Sequence, residues 1–365
     1  MSVDALLALL VVLVIGNYWL NRSVLYPSFL FCSMWLAEVA MYRMDLLETD
    51  PVHSDTLAII GGGAFLFTCG GLLAMIVPKV LIETKFVLTR LPPRNNLIKP
   101  LMIVFLACGL PLMVRSLLQL ASTVSGTGSI LQRARIAAVQ GNAPPATVFS
   151  SIASYFILWA IYAAVLFLIE RNDKYFWMMT FVALAGGVLS TGRTPVMMLI
   201  VALTCVQLMI SDRHRFWHAL QFARVPIFIF LCLYFGLVFL DKDTSSYEGG
   251  IAGIILFFLV AYIVGPMAAF DYVLRHPQDY AGTSNHTFKF FLSVGSTLHL
   301  VQWVPPPLYD VFVYVPYPTN VYTIYKFFYL DFGFYGMLAA ITLIGFLQTL
   351  LYRKARTGSV LGLYF

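Results

Sequence analysis

The chain has 365 residues, of which 60% are hydrophobic and 11% charged, with a formal net charge of +6. Soluble domains carry roughly 25% charged residues, so the composition excludes an ordinary water-soluble globule and makes the lipid bilayer the expected solvent. The positive excess comes with no strand- or groove-reading motif, which argues against a nucleic-acid partner; in a membrane chain the placement of charge says more than its sum.

A hydrocarbon core of roughly 30 Å is crossed by about 20 apolar residues as a helix, and period-2 alternation is absent, so helical spans are predicted. In chain order they fall near 3–20, 24–42, 56–78, 100–120, 147–169, 175–190, 195–211, 226–240 and 332–352. The first run is read as a retained span, because Asp4 precedes it and no small-residue cleavage site follows. Gly61 to Gly63, with Gly70 and Gly71, predict close helix packing in the third span. The fourth carries Arg115, expected inside the membrane about one turn from the surface, where a charge implies a partner or a cavity.

Between 121 and 146, the stretch Ser129 to Gln140 reads as a short helix with Ser129 as N-cap, stopped by Gly141-Asn142 and Pro144-Pro145. It carries Arg133 and Arg135, two positions apart and therefore on different sides. In the turn STGRTP, Thr194 suits an N-cap and Pro195 the first helical position, so the next span begins there. The region 249–304 holds an apolar run, Ile251 to Phe270, broken at Gly265-Pro266, then a polar stretch with Arg275, His276 and His286, then a weaker run from Thr287 to Trp303. Two spans here bring the total to about eleven, with nine to twelve compatible, and leave open the membrane side of 271–290.

Basic residues collect on one set of connections: Lys79 to Lys99, Arg171 and Lys174, Arg213 to Arg224, and Arg353, Lys354 and Arg356. The alternate connections hold Asp45, Glu48, Asp50, Asp55, Asp241, Asp243 and Glu248. The positive-inside tendency puts the basic set in the cytoplasm, the amino terminus outside and the carboxy terminus inside. Arg133, Arg135 and Arg193 then stand on the outer side, against the rule. The five cysteines lie in apolar runs without metal-ligand spacing, and no cofactor motif occurs. Asp241-Lys-Asp243 is formally a DxD, but solvation of a short loop explains it better than a divalent ion.

A helix N-terminus favours anions, and Arg193 in front of one adds a full charge and a bidentate fork, the chemistry of a phosphate site. Arg115, Arg133, Arg135 and Arg275 are further cationic candidates. Before the last span, TNVYTIYKFFYLDFGFYG mixes aromatics with Asn320, Thr323, Lys326 and Asp331. Faces of Tyr322 and Tyr325 at a wet interface suit sugar rings. His276, His286, Asp331 and Glu248 are candidates for accepting a proton. The whole chain, 1–365, reads as one polytopic all-α domain, with 121–146 and 304–330 forming the functional face.

The STGRTPVMMLI turn and TNVYTIYKFFYLDFGFYG resemble the Wzy-type oligosaccharide repeat-unit polymerases of bacterial O-antigen and related surface polysaccharides, over about Arg133 to Tyr352. The resemblance implies a GT-C-like membrane glycosyltransferase of the bacterial inner membrane. It also implies a reaction on the periplasmic face between two undecaprenyl-diphosphate-linked oligosaccharides, releasing undecaprenyl diphosphate, without cofactor or metal. A separate chain-length regulator is compatible with it. Under it Arg193, Arg133 and Arg135 hold the diphosphate and His276 or Asp331 takes the proton, while Arg115, Arg275, Asn320, Tyr322, Thr323, Tyr325 and Lys326 bind substrate. The alternatives are an O-antigen ligase, which transfers the glycan to the lipid A core, and a lipid-linked oligosaccharide flippase.

Overall fold

The computed structural model describes residues 1–45, 50–78, 108–124, 129–139, 148–169, 173–189, 194–210, 250–280, 285–288, 291–292, 295–296, 298–302, 313–315 and 318–356. Their secondary structure is almost wholly helical. In chain order the α-helices are α1 Val3–Asn21, α2 Pro27–Arg43, α3 Ser54–Ile76, α4 Leu110–Ser122, α5 Ile130–Val139, α6 Val148–Ile169, α7 Asp173–Leu189, α8 Thr194–Ile210, α9 Gly250–Arg275 and α10 Ile324–Arg356. By length and composition α1, α3 and α10 can each cross a membrane, and the 19 residues of α1 extend about 28 Å. These are the helices of a membrane protein.

From the first span to that at 195–211, the predicted spans agree with the helices to within a few residues wherever both are described. The span predicted at 226–240 lies outside the described residues. Ser129 caps α5 as expected: its hydroxyl accepts from Gln132 N at 3.2 Å and its carbonyl from Arg133 N at 2.9 Å. Three expectations need correction. The break at Gly265-Pro266 is absent, because α9 runs through Pro266; neighbouring helices can re-satisfy the backbone groups that a proline frees in an apolar medium. The last helix begins at Ile324, earlier than 332, and turns at Gly333, whose φ of 68° is the left-handed conformation that glycine adopts without strain. In the region expected to hold no strand, Val313–Tyr314 (β1) pairs antiparallel with Pro318–Thr319 (β2), Val313 opposite Thr319 and Tyr314 opposite Pro318.

Two large apolar cores lie among the described residues. In the first, Leu6 and Leu10 of α1, Trp35 and Val39 of α2, Ile60 and Phe67 of α3, Phe270 of α9, and Tyr325 and Ile341 of α10 pack together. The second joins α4, α6, α7 and α8 through Met113, Phe156, Phe167, Met179 and Leu199. Asn17 ties α1 to α3 by donating to the Thr68 hydroxyl at 3.2 Å, a buried polar link typical of helices that share no hydrophobic driving force in lipid. The predicted close packing of the third span is present: a Cβ on Gly70 would stand 3.0 Å from Phe346 N, and one on Gly345 would stand 3.1 Å from the Phe67 Cα.

Helix directions define two ends. At one, the Met1 ammonium donates to Ser54 O at 2.9 Å and Arg43 pairs with Asp4 at 2.9 Å. At the other, Arg353 donates to Ala74 O and Val77 O at the end of α3, and Tyr26 and Tyr352 pack with Leu208 of α8. α9 finishes at the Met1 end, since its Asp271 bonds His53 and Thr56. That places the start of the polar 271–290 stretch, whose side the sequence left open, beside the amino terminus. α8 reaches Tyr26 and Tyr352 with its last turns, so its Thr194 start lies at the opposite end of that helix.

Candidate functional site

The polar chemistry of the first bundle is concentrated at the Met1 end. Asp271, one residue beyond the apolar run of α9, is 1% exposed. Burying a carboxylate is costly unless donors replace its lost water. Here Oδ1 accepts from the Thr56 hydroxyl at 2.5 Å and from His53 N at 3.1 Å, while Arg275, one turn along the same helix, forms an ion pair with Oδ2. The His53 ring is 58% exposed and its Nδ1 lies 3.5 Å from Asp271 Oδ2. His53 precedes the first turn of α3 and Thr56 stands in that turn, so packing α3 against α9 is what assembles the group. Next to it, His276 Nδ1 is 3.1 Å from Tyr272 O and the imidazole stacks on Tyr272 at 4.3 Å, while the Tyr272 hydroxyl donates to Asp279 at 3.2 Å.

A second group gathers where the chain enters α10. The Lys326 ammonium sits 3.3 Å from the centroid of the Tyr322 ring, 4.8 Å from Tyr280 and 5.6 Å from Phe327. The hydroxyls of Tyr280 and Tyr322 are 3.1 Å apart. Aromatic faces offset the desolvation of a cation, and Lys326 is only 1% exposed. It therefore pegs the two tyrosines from beneath, which corrects its expected place on an open substrate surface. Tyr325 needs the same correction: its ring is fully buried between Trp35 and Phe270, with its hydroxyl 3.4 Å from Ile60 O. Thr323 is buried as well. Asn320 and Tyr322 remain half-exposed at this entry.

Asp331 belongs to a different device. Its Oδ1 accepts from Asn285 N at 2.6 Å and His286 N at 3.0 Å, and its Oδ2 from Thr287 N at 2.6 Å. Both oxygens are committed to backbone donors, so Asp331 staples 285–287 to the first part of α10 and is poorly placed to take a proton from a substrate. Asn285 enters the staple with φ 80°, a left-handed conformation that asparagine tolerates better than most residues.

The expected arginines divide between the bundles. Arg275 is partly neutralised by Asp271. Arg115 is exposed on α4, where it lines an open groove of about 650 Å³ with Leu110, Pro111, Val114, Leu118 and Gln119. Arg133 is half-buried on α5, and its Nε is buried without a hydrogen bond among the described residues. α5 meets α4 through Ala134, Leu117 and Ala121, with Leu189 of α7 alongside. Arg135 is also carried by α5. Arg193, Asp241, Asp243 and Glu248 lie outside the described residues; Thr194, directly after Arg193 and expected as the N-cap, is the first residue of α8, with Pro195 the second. Among the described residues no hydrogen bond or ion pair joins Arg115 or Arg133 to the Asp271 group.

Sequence reasoning missed His53, Thr56 and Asp271. A signal was present: Asp271 is a lone acid closing an apolar run, and an ionisable residue there implies a partner. The partner was hidden because it stands 218 positions away in sequence. No protein-family model matches this chain, nor does any curated protein or solved structure. Among the described residues no cluster of metal-ligating side chains occurs.

Proposed function

We propose that the protein is a lipid-carrier-dependent glycosyltransferase of the Wzy-type polymerase kind, joining undecaprenyl-diphosphate-linked repeat units at the periplasmic surface of the inner membrane. The observation that carries this reading is the polar group at one end of an otherwise apolar helical bundle: a buried carboxylate with an exposed imidazole and a guanidinium, close to the buried Tyr280 and the half-exposed Tyr322. Such a surface suits a substrate with a greasy tail in the bilayer and sugars at its boundary. In this reading about eleven helices cross the membrane. The Met1 end is periplasmic and the Arg353 end cytoplasmic, in accord with the acidic residues near the first and the basic residues at the second.

The leaving diphosphate gains negative charge as the glycosidic bond breaks, so cations held at that position stabilise the transition state more than the ground state. Arg193 before the start of α8 is assigned this task, with Arg133, whose buried Nε asks for an acceptor, as its companion. The fork of Arg193 can bind two phosphate oxygens at once, which a lysine cannot do.

The test is the length distribution of surface glycan in cells that depend on this chain. Arg193→Ala is expected to collapse the ladder to single repeats at normal protein level, with Arg193→Lys nearly as severe. An unchanged ladder would remove Arg193 from the reaction. A core left bare of any repeat when the chain is deleted would instead identify a ligase, and loss of outward movement of the lipid-linked unit a transporter.

A further inference from the structure

We propose that His53, held by the buried Asp271, is the catalytic proton acceptor of the transfer reaction; this rests on the polymerase reading above. Imidazole is the side chain that exchanges protons most readily near neutral pH, and a general base needs a free nitrogen outward and a fixed partner behind it. His53 meets both conditions. Its Nδ1 is the nitrogen near Asp271 Oδ2, at 3.5 Å, and the ring is 58% exposed; Nε2 is the nitrogen assigned to the substrate. The partner is immobile because Thr56, the His53 backbone and Arg275 hold both of its oxygens.

Asp331 and His276 are committed elsewhere. Asp331 spends both oxygens on three backbone donors. His276 is stacked on Tyr272 with one nitrogen at the Tyr272 carbonyl. In the step assigned to His53, an acceptor-sugar hydroxyl oxygen bonds to the anomeric carbon of the donor glycan. The bond from that carbon to the diphosphate oxygen breaks, and its electron pair leaves with the polyprenyl diphosphate. The hydroxyl proton passes to His53 Nε2 and then to water.

The experiment uses the full-length protein in lipid nanodiscs with polyprenyl-diphosphate-linked repeat units purified from cells lacking this chain. His53→Gln removes the imidazole but keeps the backbone N–H that bonds Asp271, so a purely structural role is spared. Turnover is expected to fall about 100-fold, the scale of a lost general base, with KM within about threefold and the unfolding midpoint unchanged. His53→Gly is expected to regain part of its rate when imidazole is added. A wild-type rate in His53→Gln, or a His53→Gly enzyme that ignores imidazole, overturns the assignment while leaving the polymerase reading intact. Failure of the wild-type protein to lengthen the glycan overturns both.

Discussion

Removing the guanidinium of Arg275 should damage the protein more than removing both charges of its pair. Asp271 is 1% exposed, so in Arg275→Ala its carboxylate keeps Thr56, the His53 N–H and the His53 ring beside it but loses its countercharge. Breaking a fully buried pair costs about 3–5 kcal/mol. The Arg275 side chain is 40% exposed, so water recovers part of that, and a loss of about 2–3 kcal/mol is expected. Adding Asp271→Asn removes the orphaned charge, while the amide oxygen still accepts from Thr56 and His53 N. The double variant is therefore expected within about 1 kcal/mol of wild type. Equilibrium unfolding of the purified protein in mixed micelles, run as a double-mutant cycle, reads the coupling directly. Arg275→Ala as stable as the double variant would refute the buried Asp271–Arg275 pair as the centre of this end of the bundle.

Gly70→Ala places a methyl 3.0 Å from Phe346 N and closer still to the Thr342 carbonyl, so α3 and α10 must separate and a loss of about 1–3 kcal/mol is expected in the same unfolding assay. Gly62→Ala is the control, because a Cβ there meets nothing within 4 Å; equal effects at both sites would disprove the close approach. Asp331→Ala frees the N–H groups of Asn285, His286 and Thr287. Amide exchange in a peptide covering them should quicken about tenfold or more while α3 keeps its protection, as expected when bonds of about 1.5 kcal/mol or more are lost locally. Unaltered exchange at 285–287 would dismiss the staple.

Much of the fold was legible because the bilayer imposes one local rule on every span. A run of about 20 apolar residues must satisfy its own backbone groups, and the helix is the only single-segment answer. Hence α1, α2, α3, α6, α7 and α8 fall close to where hydropathy puts them. Helix starts were equally local: Ser129 caps α5, and α8 begins at Thr194 and Pro195. The site was less legible. Lys326 and Tyr325 stand in the same polar and aromatic stretch as Asn320 and Tyr322, and nothing in their order separates a buried peg from an open surface. The turn at Gly333 and the packing of α10 on α3 decide which ring faces inward.

From sequence alone come the membrane class, the helical secondary structure, the glycine-lined contact of the third span and the short capped helix that carries Arg133 and Arg135. Each follows from composition or from neighbours within about one turn. Only the tertiary structure decided that α9 continues through Pro266, that its end lies beside Met1, and that Asp271 meets His53, Thr56 and Arg275 there. The reason is range: Asp271 meets His53 across 218 positions, and a contact formed at that separation leaves no period or spacing for the chain to display.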